Sequence, residues 1–329
     1  MTADGGNRLG GIAPVLAAAV LWGTVGPAQL LADTGVSPVS LGACRMLLGG
    51  LVLGLCTARP AGLRSLLRPR ARGWLVVGVL VTAAFQVCFL EAVQRTGAAL
   101  ATAVTFGSVP VVSGLCARWF GGEPMTAKWW GGTVCSVAGI ALLLVPAGAA
   151  HADVPGVLLG TVAGAAFGLY ITATRRLARH GADPRAAAPV SVLGAGLLVS
   201  PWLLVAPGGL AAPRALLLIG WLALGTTALG YLLFTRGVTR ISAATTGTLS
   251  LAEPLVATLL GIALLGERPT AVAACGAALL LGGLVVVSLP AGRGPRYRPS
   301  PSSAAGSPAR SRITASTASG SSGVRNGRT

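Results

Sequence analysis

The sequence is poor in charge. Asp, Glu, Lys and Arg together make up 10% of its 329 residues, against roughly 25% in soluble domains, which points to a membrane protein. Histidine is nearly absent: only His151 and His180 occur, both in predicted loops. No HExxH or paired-aspartate motif falls in an apolar segment, so the clustered groups of a membrane-embedded enzyme are missing. GxxxxGK[ST] is also missing, which excludes transport driven by nucleotide hydrolysis through that loop. The six cysteines, Cys44, Cys56, Cys88, Cys116, Cys135 and Cys275, lie in apolar segments without CxxC spacing or histidine neighbours. They read as small buried apolar residues, with no disulfide framework, no zinc site and no cofactor implied.

What the chain has instead is apolar length. Hydrophobic residues are 53% of it, and the mean hydropathy is +0.76. A membrane helix needs about 20 mostly apolar residues, and ten segments qualify: 11–32, 39–57, 73–91, 97–119, 128–147, 154–174, 188–206, 214–235, 242–265 and 271–290. The expected fold class is all-α and integral to a membrane, with ten transmembrane helices. Abundant Gly (48) and Ala let such helices approach closely where lipid gives no hydrophobic drive for packing. The first segment, preceded by Arg8, is longer than a signal-peptide core and lacks a clear cleavage site, so it counts as helix 1.

The net charge of +17 is distributed as a topogenic signal. With residues 1–10 as a cytoplasmic N-terminus, Arg59, Arg64, Arg68, Arg70 and Arg72 fall on the inner side, as do Arg175, Arg176, Arg179, Arg185 and the C-terminal tail. Only Arg95, Arg214 and Arg268 fall outside, and Arg45 lies within a span. This asymmetry sets both termini in the cytoplasm by the positive-inside rule, in a multi-pass protein of the plasma or inner membrane. It also leaves no reason to invoke nucleic acid. Residues 291–329, rich in Ser, Pro, Gly and Arg, cannot bury enough apolar area to order themselves and are expected to form a disordered basic cytoplasmic tail. That tail either stays solvated or touches anionic lipid.

The chain repeats itself. At a shift of 144 residues, Ala99, Thr102, Pro110 and Leu115 meet Ala243, Thr246, Pro254 and Leu259. Gly122, Glu123 and Thr126 meet Gly266, Glu267 and Thr270, and Gly132, Gly139 and Pro146 meet Gly276, Gly283 and Pro290. Coincident Pro and Glu pairs mark a duplicated unit of five helices, 11–147 and 154–290. Five is odd, so the second copy enters from the opposite side, giving inverted-topology repeats.

Two stretches, "RTGAALATAVTFGSVPVVSGLCARWFGGEP" (95–124) and "RISAATTGTLSLAEPLVATLLGIALLGERP" (240–269), each place a proline in the fourth helix of a half and Gly-Glu about a dozen residues later. In this the chain resembles the EamA-type carriers of the drug/metabolite transporter superfamily, over about residues 11 to 290. The resemblance implies a small-solute carrier, often an exporter, with a cavity between the halves near the membrane midplane. Its solutes range over amino acids and their derivatives, nucleobases, sugars and amphipathic drugs.

Glu253 stands out among candidate site residues. Its repeat partner is Val109 whereas that of Pro254 is Pro110, so the prolines belong to the shared scaffold and the carboxylate to one half alone. A start near 242 puts Glu253 about 16 Å deep, near the centre of a hydrocarbon core about 30 Å thick. An acid there must be protonated, paired or facing a wet cavity. It serves either as a ligand or proton-coupling site, or as a neutral acid tied into helix packing.

Thr246, Ser250 and Glu253 share a helix face, and Thr102, Thr105 and Phe106 share the equivalent one. Their hydroxyls either contact solute or bond back to a carbonyl of their own helix. Pro110 and Pro254 are expected to break or kink their helices. Trp22, at similar depth in helix 1, reads as a cavity wall, with Tyr170 and Tyr231 either beside it or packed. Gln86 is a candidate polar group of the cavity. Arg45 and Glu91 either pair as an outer gate or face water at the boundary.

Together these residues suit a secondary or facilitative carrier working by alternating access, exporting amino acids or their derivatives. A multidrug or cationic-compound exporter is the alternative, and a scaffold or an enzyme fits less well. The implied partners are a small-molecule solute and the lipid bilayer. Protons are a candidate coupling ion and a homodimer a candidate assembly.

Overall fold

The computed structural model describes residues 3–123, 125–148, 153–265 and 269–289. Glu267 with its Gly266, Arg268, His151 and the basic tail from 291 lie outside the described residues, as do the first two residues of the N-terminus. Ten helical spans are long and apolar enough to cross a membrane. They are span 1 (Leu9–Ala32), span 2 (Pro38–Thr57), span 3 (Pro69–Thr96), span 4 (Ala98–Gly121), span 5 (Ala127–Leu144), span 6 (Val154–Arg179), span 7 (Pro184–Val205), span 8 (Pro213–Val238), span 9 (Ala243–Leu264) and span 10 (Ala271–Ser288). No strand occurs among the described residues.

The span ends follow from local chemistry. Spans 2, 3, 7 and 8 open on proline, whose fixed φ suits the first helical turn and whose missing N–H costs nothing there. Asp153, Asp183, Ser242 and Thr270 cap spans 6, 7, 9 and 10 through their side-chain oxygens, satisfying otherwise orphaned N–H groups. Span 4 stops at Gly122, whose φ of 63° is left-handed. The Glu123 N–H donates to the Ala117 carbonyl and the Gly122 N–H to that of Arg118, so carbonyls of the last turns keep donors where the helix ends. The first Gly-Glu pair is thus the termination signal its sequence suggests.

The packing has the symmetry of the repeat. Span 5 packs on span 10, span 4 on span 9 and span 2 on span 7, while span 3 packs on span 6 as span 8 packs on span 1. Exchanging each span for its counterpart five places along leaves this set unchanged. The two halves are therefore related by a two-fold operation, and five crossings per half invert the second copy.

The contact of spans 5 and 10 shows the same relation at atomic scale. A Cβ on Gly139 would lie 2.8 Å from the Gly276 carbonyl oxygen and 2.4 Å from the Leu280 nitrogen. At the repeat counterpart of this contact, a Cβ on Gly283 would lie 2.5 Å from the Gly132 carbonyl oxygen. Backbone meets backbone there, the use of small residues expected in lipid. Gly139→Ala should force the spans apart at a cost of about 1–3 kcal/mol. A lowered unfolding midpoint in detergent would report it, whereas Gly131→Ala, with nothing within 4 Å of the added carbon, should leave the midpoint unchanged or raise it.

Candidate solute-binding site

Span 9 is not one helix. It runs as Ala243–Leu249, turns at Ser250 and Leu251, and resumes as an α-helix from Ala252. Pro254 has no N–H to give the Ser250 carbonyl, which instead accepts from the Glu253 N–H at 3.1 Å. The chain tightens by one residue at that point. Glu253 is thereby placed in the first turn of the resumed helix, the end at which the helix dipole favours negative charge. Span 4, by contrast, is α-helical straight through Pro110, so the expected break occurs at Pro254 and not at Pro110. Pro110 is buried, with Gly247 of span 9 close against its Cα. Its carbonyl also accepts the Ser113 hydroxyl at 3.2 Å.

Glu253 opens into a cavity of about 110 Å³ enclosed by spans 1, 2, 3, 6, 8 and 9. Its polar groups are the Glu253 carboxylate, the Arg45 guanidinium and the Gln86 amide; its aromatic walls include Trp22, Phe167 and Tyr231. It reaches towards Gln29 and Pro38, which lie near the ends of spans 1 and 2 on one side of the molecule.

Several expected residues meet here and others do not. Glu253, Trp22, Gln86 and Tyr231 line the cavity. Thr246 and Ser250 are fully buried, and their hydroxyls bond back to the Ser242 and Thr246 carbonyls at 2.9 and 3.1 Å. Thr105 is spent on the Gly160 carbonyl of span 6 at 3.0 Å, and Thr102 sits half-buried on span 4, away from the lining. Phe106 stands behind the wall, edge-on to Phe89 and Phe167. Tyr170 is stacked beneath Phe167 and meets Tyr231 edge-on, supporting the cavity without lining it.

The pairing of Arg45 with Glu91 as an outer gate does not occur. Arg45 Nη2 donates to Gln86 Oε1 at 3.0 Å, inside the cavity. Glu91 bonds Arg95, one turn on in its own helix, at 2.7 Å on the exposed end. Gln86, which holds Arg45, and Glu91 point to different sides of span 3: five positions separate them, more than a third of a turn out of phase on a 3.6-residue helix. Gly42 makes the inner bond possible, since a Cβ there would lie 2.2 Å from Gln86 Nε2.

Trp22 is fixed by a second irregularity. Residues Leu222–Leu229 of span 8 form a π-helix, and the Trp22 indole N–H donates to the Thr226 carbonyl within it at 2.8 Å. π-Helical turns are rare and concentrate at functional sites. Gly230 lets the ring in, a Cβ there lying 2.7 Å from Nε1.

Phe167 was legible but missed. Trp22-Gly23 and Phe167-Gly168 are aromatic-glycine pairs at like positions of spans 1 and 6, and their rings meet at 5.9 Å. Gly23 packs on Val256 and Gly168 on Val112, valines 144 residues apart, so the contacts beside these two rings also follow the repeat.

Inverted halves meeting around a charged, aromatic-walled cavity in a ten-span membrane protein define the class of solute carriers. The chain belongs to the EamA-like transporter family, which it matches twice, over residues 9–145 and 154–289. It is 33% identical over 284 residues to the uncharacterized transporter YwfM of Bacillus subtilis, covering 83% of this chain and 92% of that one. Against the threonine/homoserine exporter RhtA of Escherichia coli it is 30% identical over 210 residues, 61% of this chain and 64% of that one. A crystal structure of a protein 23% identical covers 84% of this chain and 95% of its own, with a TM-score of 0.73, which shows a shared fold.

Proposed function

We propose that this transporter exports amino acids or their small derivatives by alternating access at this cavity. The observation that carries the reading is the pairing of opposite charges in one place. Arg45 and Glu253 face the same cavity yet form no ion pair with each other. A solute with a carboxylate and an ammonium group fits between them, its carboxylate on the arginine and its amino group on the acid. Guanidinium forks suit carboxylates, and such charge-assisted bonds are the strong ones. The similarity to RhtA supports the same solute class.

Arginines gather at the end opposite the cavity mouth, where Arg68 bonds Gly181 and Arg240 bonds Gly10. By the positive-inside rule this end is cytoplasmic, with both termini, and the cavity here faces out. The repeats are 11–147 and 154–290, and Glu253 is the group at which a proton would couple to transport.

A cationic-drug exporter is the second reading, favoured by the aromatic walls and opposed by Arg45. Intracellular accumulation of an amino-acid and cationic-drug panel separates them, in cells making the wild type or carrying an empty vector. Depletion of amino acids alone supports the first reading; depletion of cations alone overturns it. On the first reading, Trp22→Phe keeps the ring but loses the bond to Thr226, and should raise KM for export about two- to tenfold, the worth of one neutral hydrogen bond. Concentration-dependent efflux measures it.

A further inference from the structure

The end of the molecule away from the cavity mouth carries a cluster of ion pairs. Glu123, just beyond span 4, accepts on Oε1 from Arg175 Nη2 at 2.6 Å and from Arg179 Nη2 at 3.1 Å. Arg175 also donates through Nη1 to the Val238 carbonyl at 3.1 Å, so one guanidinium joins the ends of spans 4, 6 and 8. Arg176 adds a bond to the Phe120 carbonyl and lies 5.8 Å from the ring centres of both Trp74 and Phe120. The Arg175 and Glu123 side chains are 14% and 21% exposed, sheltered enough that bulk salt screens them little.

The sequence does not repeat these cations. The duplication carries Glu123 to Glu267 and span 6 to span 1, and the chain has no Lys or Arg between Arg8 and Arg45. Span 1 therefore has no cation with which to build the equivalent contact at the other end.

We propose that Glu123, Arg175 and Arg179 form a one-sided latch in the transport cycle, closed while the cavity opens at the Gln29 and Pro38 end, and broken when access switches. The proposal rests on the alternating-access reading. While the latch holds, access from this end is closed, and its breaking sets how readily the cavity becomes available from this side. It also separates two kinds of residue: those that meet solute, around Glu253, and those that control which side solute comes from.

Cys116 provides the test. It is 5% exposed and lines the small space under the latch with Phe120, Thr172, Arg175 and Ala243. In membranes holding the full chain with the other five cysteines changed to alanine, the rate of Cys116 alkylation by N-ethylmaleimide reads latch opening. Glu123→Gln should raise that rate about tenfold or more, the scale of losing charge-assisted bonds. Glu123→Arg combined with Arg175→Glu should bring it back towards the parent, because the swapped charges can pair again. An unchanged rate in Glu123→Gln overturns the latch. So does a raised rate that the swap leaves raised, since that is general loosening. No solute is added, so failure here leaves the solute assignment standing, and failure of the efflux panel leaves the latch standing.

Discussion

Glu253→Gln is expected to lower amino-acid export about tenfold or more while leaving the amount of protein in the membrane unchanged. The size follows from replacing a charge-assisted hydrogen bond to an ammonium group by one to a neutral amide, about 1.5–3 kcal/mol. The unchanged abundance follows from the structure. The Glu253 side chain accepts no hydrogen bond from the described residues and faces the cavity, so glutamine of nearly the same shape breaks no contact of the fold. The helix break at that point is made by Pro254, which the variant keeps. A carboxylate near mid-membrane without a protein donor is costly unless water or solute reaches it, which is why a site role is the better account of its presence. Efflux at matched immunoblot signal decides. Normal export by the glutamine variant would make Glu253 a packing residue and remove the amine-binding half of the proposed site.

The fold was legible because it is written twice. Pro110 with Pro254 and Gly139 with Gly283 identify the duplication, and an odd number of helices per copy forces the inversion, whatever the side chains do. Part of the lining of the candidate cavity was legible where a residue was chemically out of place. Glu253, Gln86 and Trp22 are polar or aromatic at depths where neither is expected, and all three line the cavity.

Hydroxyls carried less information, because a helix offers them its own carbonyls. Thr246 and Ser250 took those bonds and Thr105 a neighbour's. For Arg45 the sequence leaves an outer gate with Glu91 or a place at the water boundary, because position along one helix does not say which neighbour fills the space beside it. The missing glycine side chain at position 42 and the Gln86 amide opposite draw the guanidinium inward. The π-helix of span 8 has no signature in its sequence, and its partner, the Trp22 indole, lies 204 residues away. Contacts of that range are properties of packing, which periodicity cannot report.

Arg45→Met should be the more damaging change, because Arg45 holds the cavity together as well as facing it. Its loss frees the Gln86 amide, which sits against Gly42 with no room to turn, and leaves Glu253 as the cavity's one charge. Export should vanish, and abundance should fall several-fold, as follows from a destabilisation of about 1–2 kcal/mol. Adding Glu253→Gln to Arg45→Met removes the uncompensated acid. If the two charges sense each other across the cavity, the double variant should regain abundance relative to Arg45→Met, since deleting both members of a charge pair costs less than deleting one. It should still not export amino acids, because neither end of the zwitterion has its partner. The four combinations form a double-mutant cycle, and residues sharing one site show coupling of about 0.5–3 kcal/mol in such cycles. Abundance that simply adds would separate the two charges energetically and confine Arg45 to holding Gln86. Export by the double variant at the wild-type rate would overturn the zwitterion site altogether.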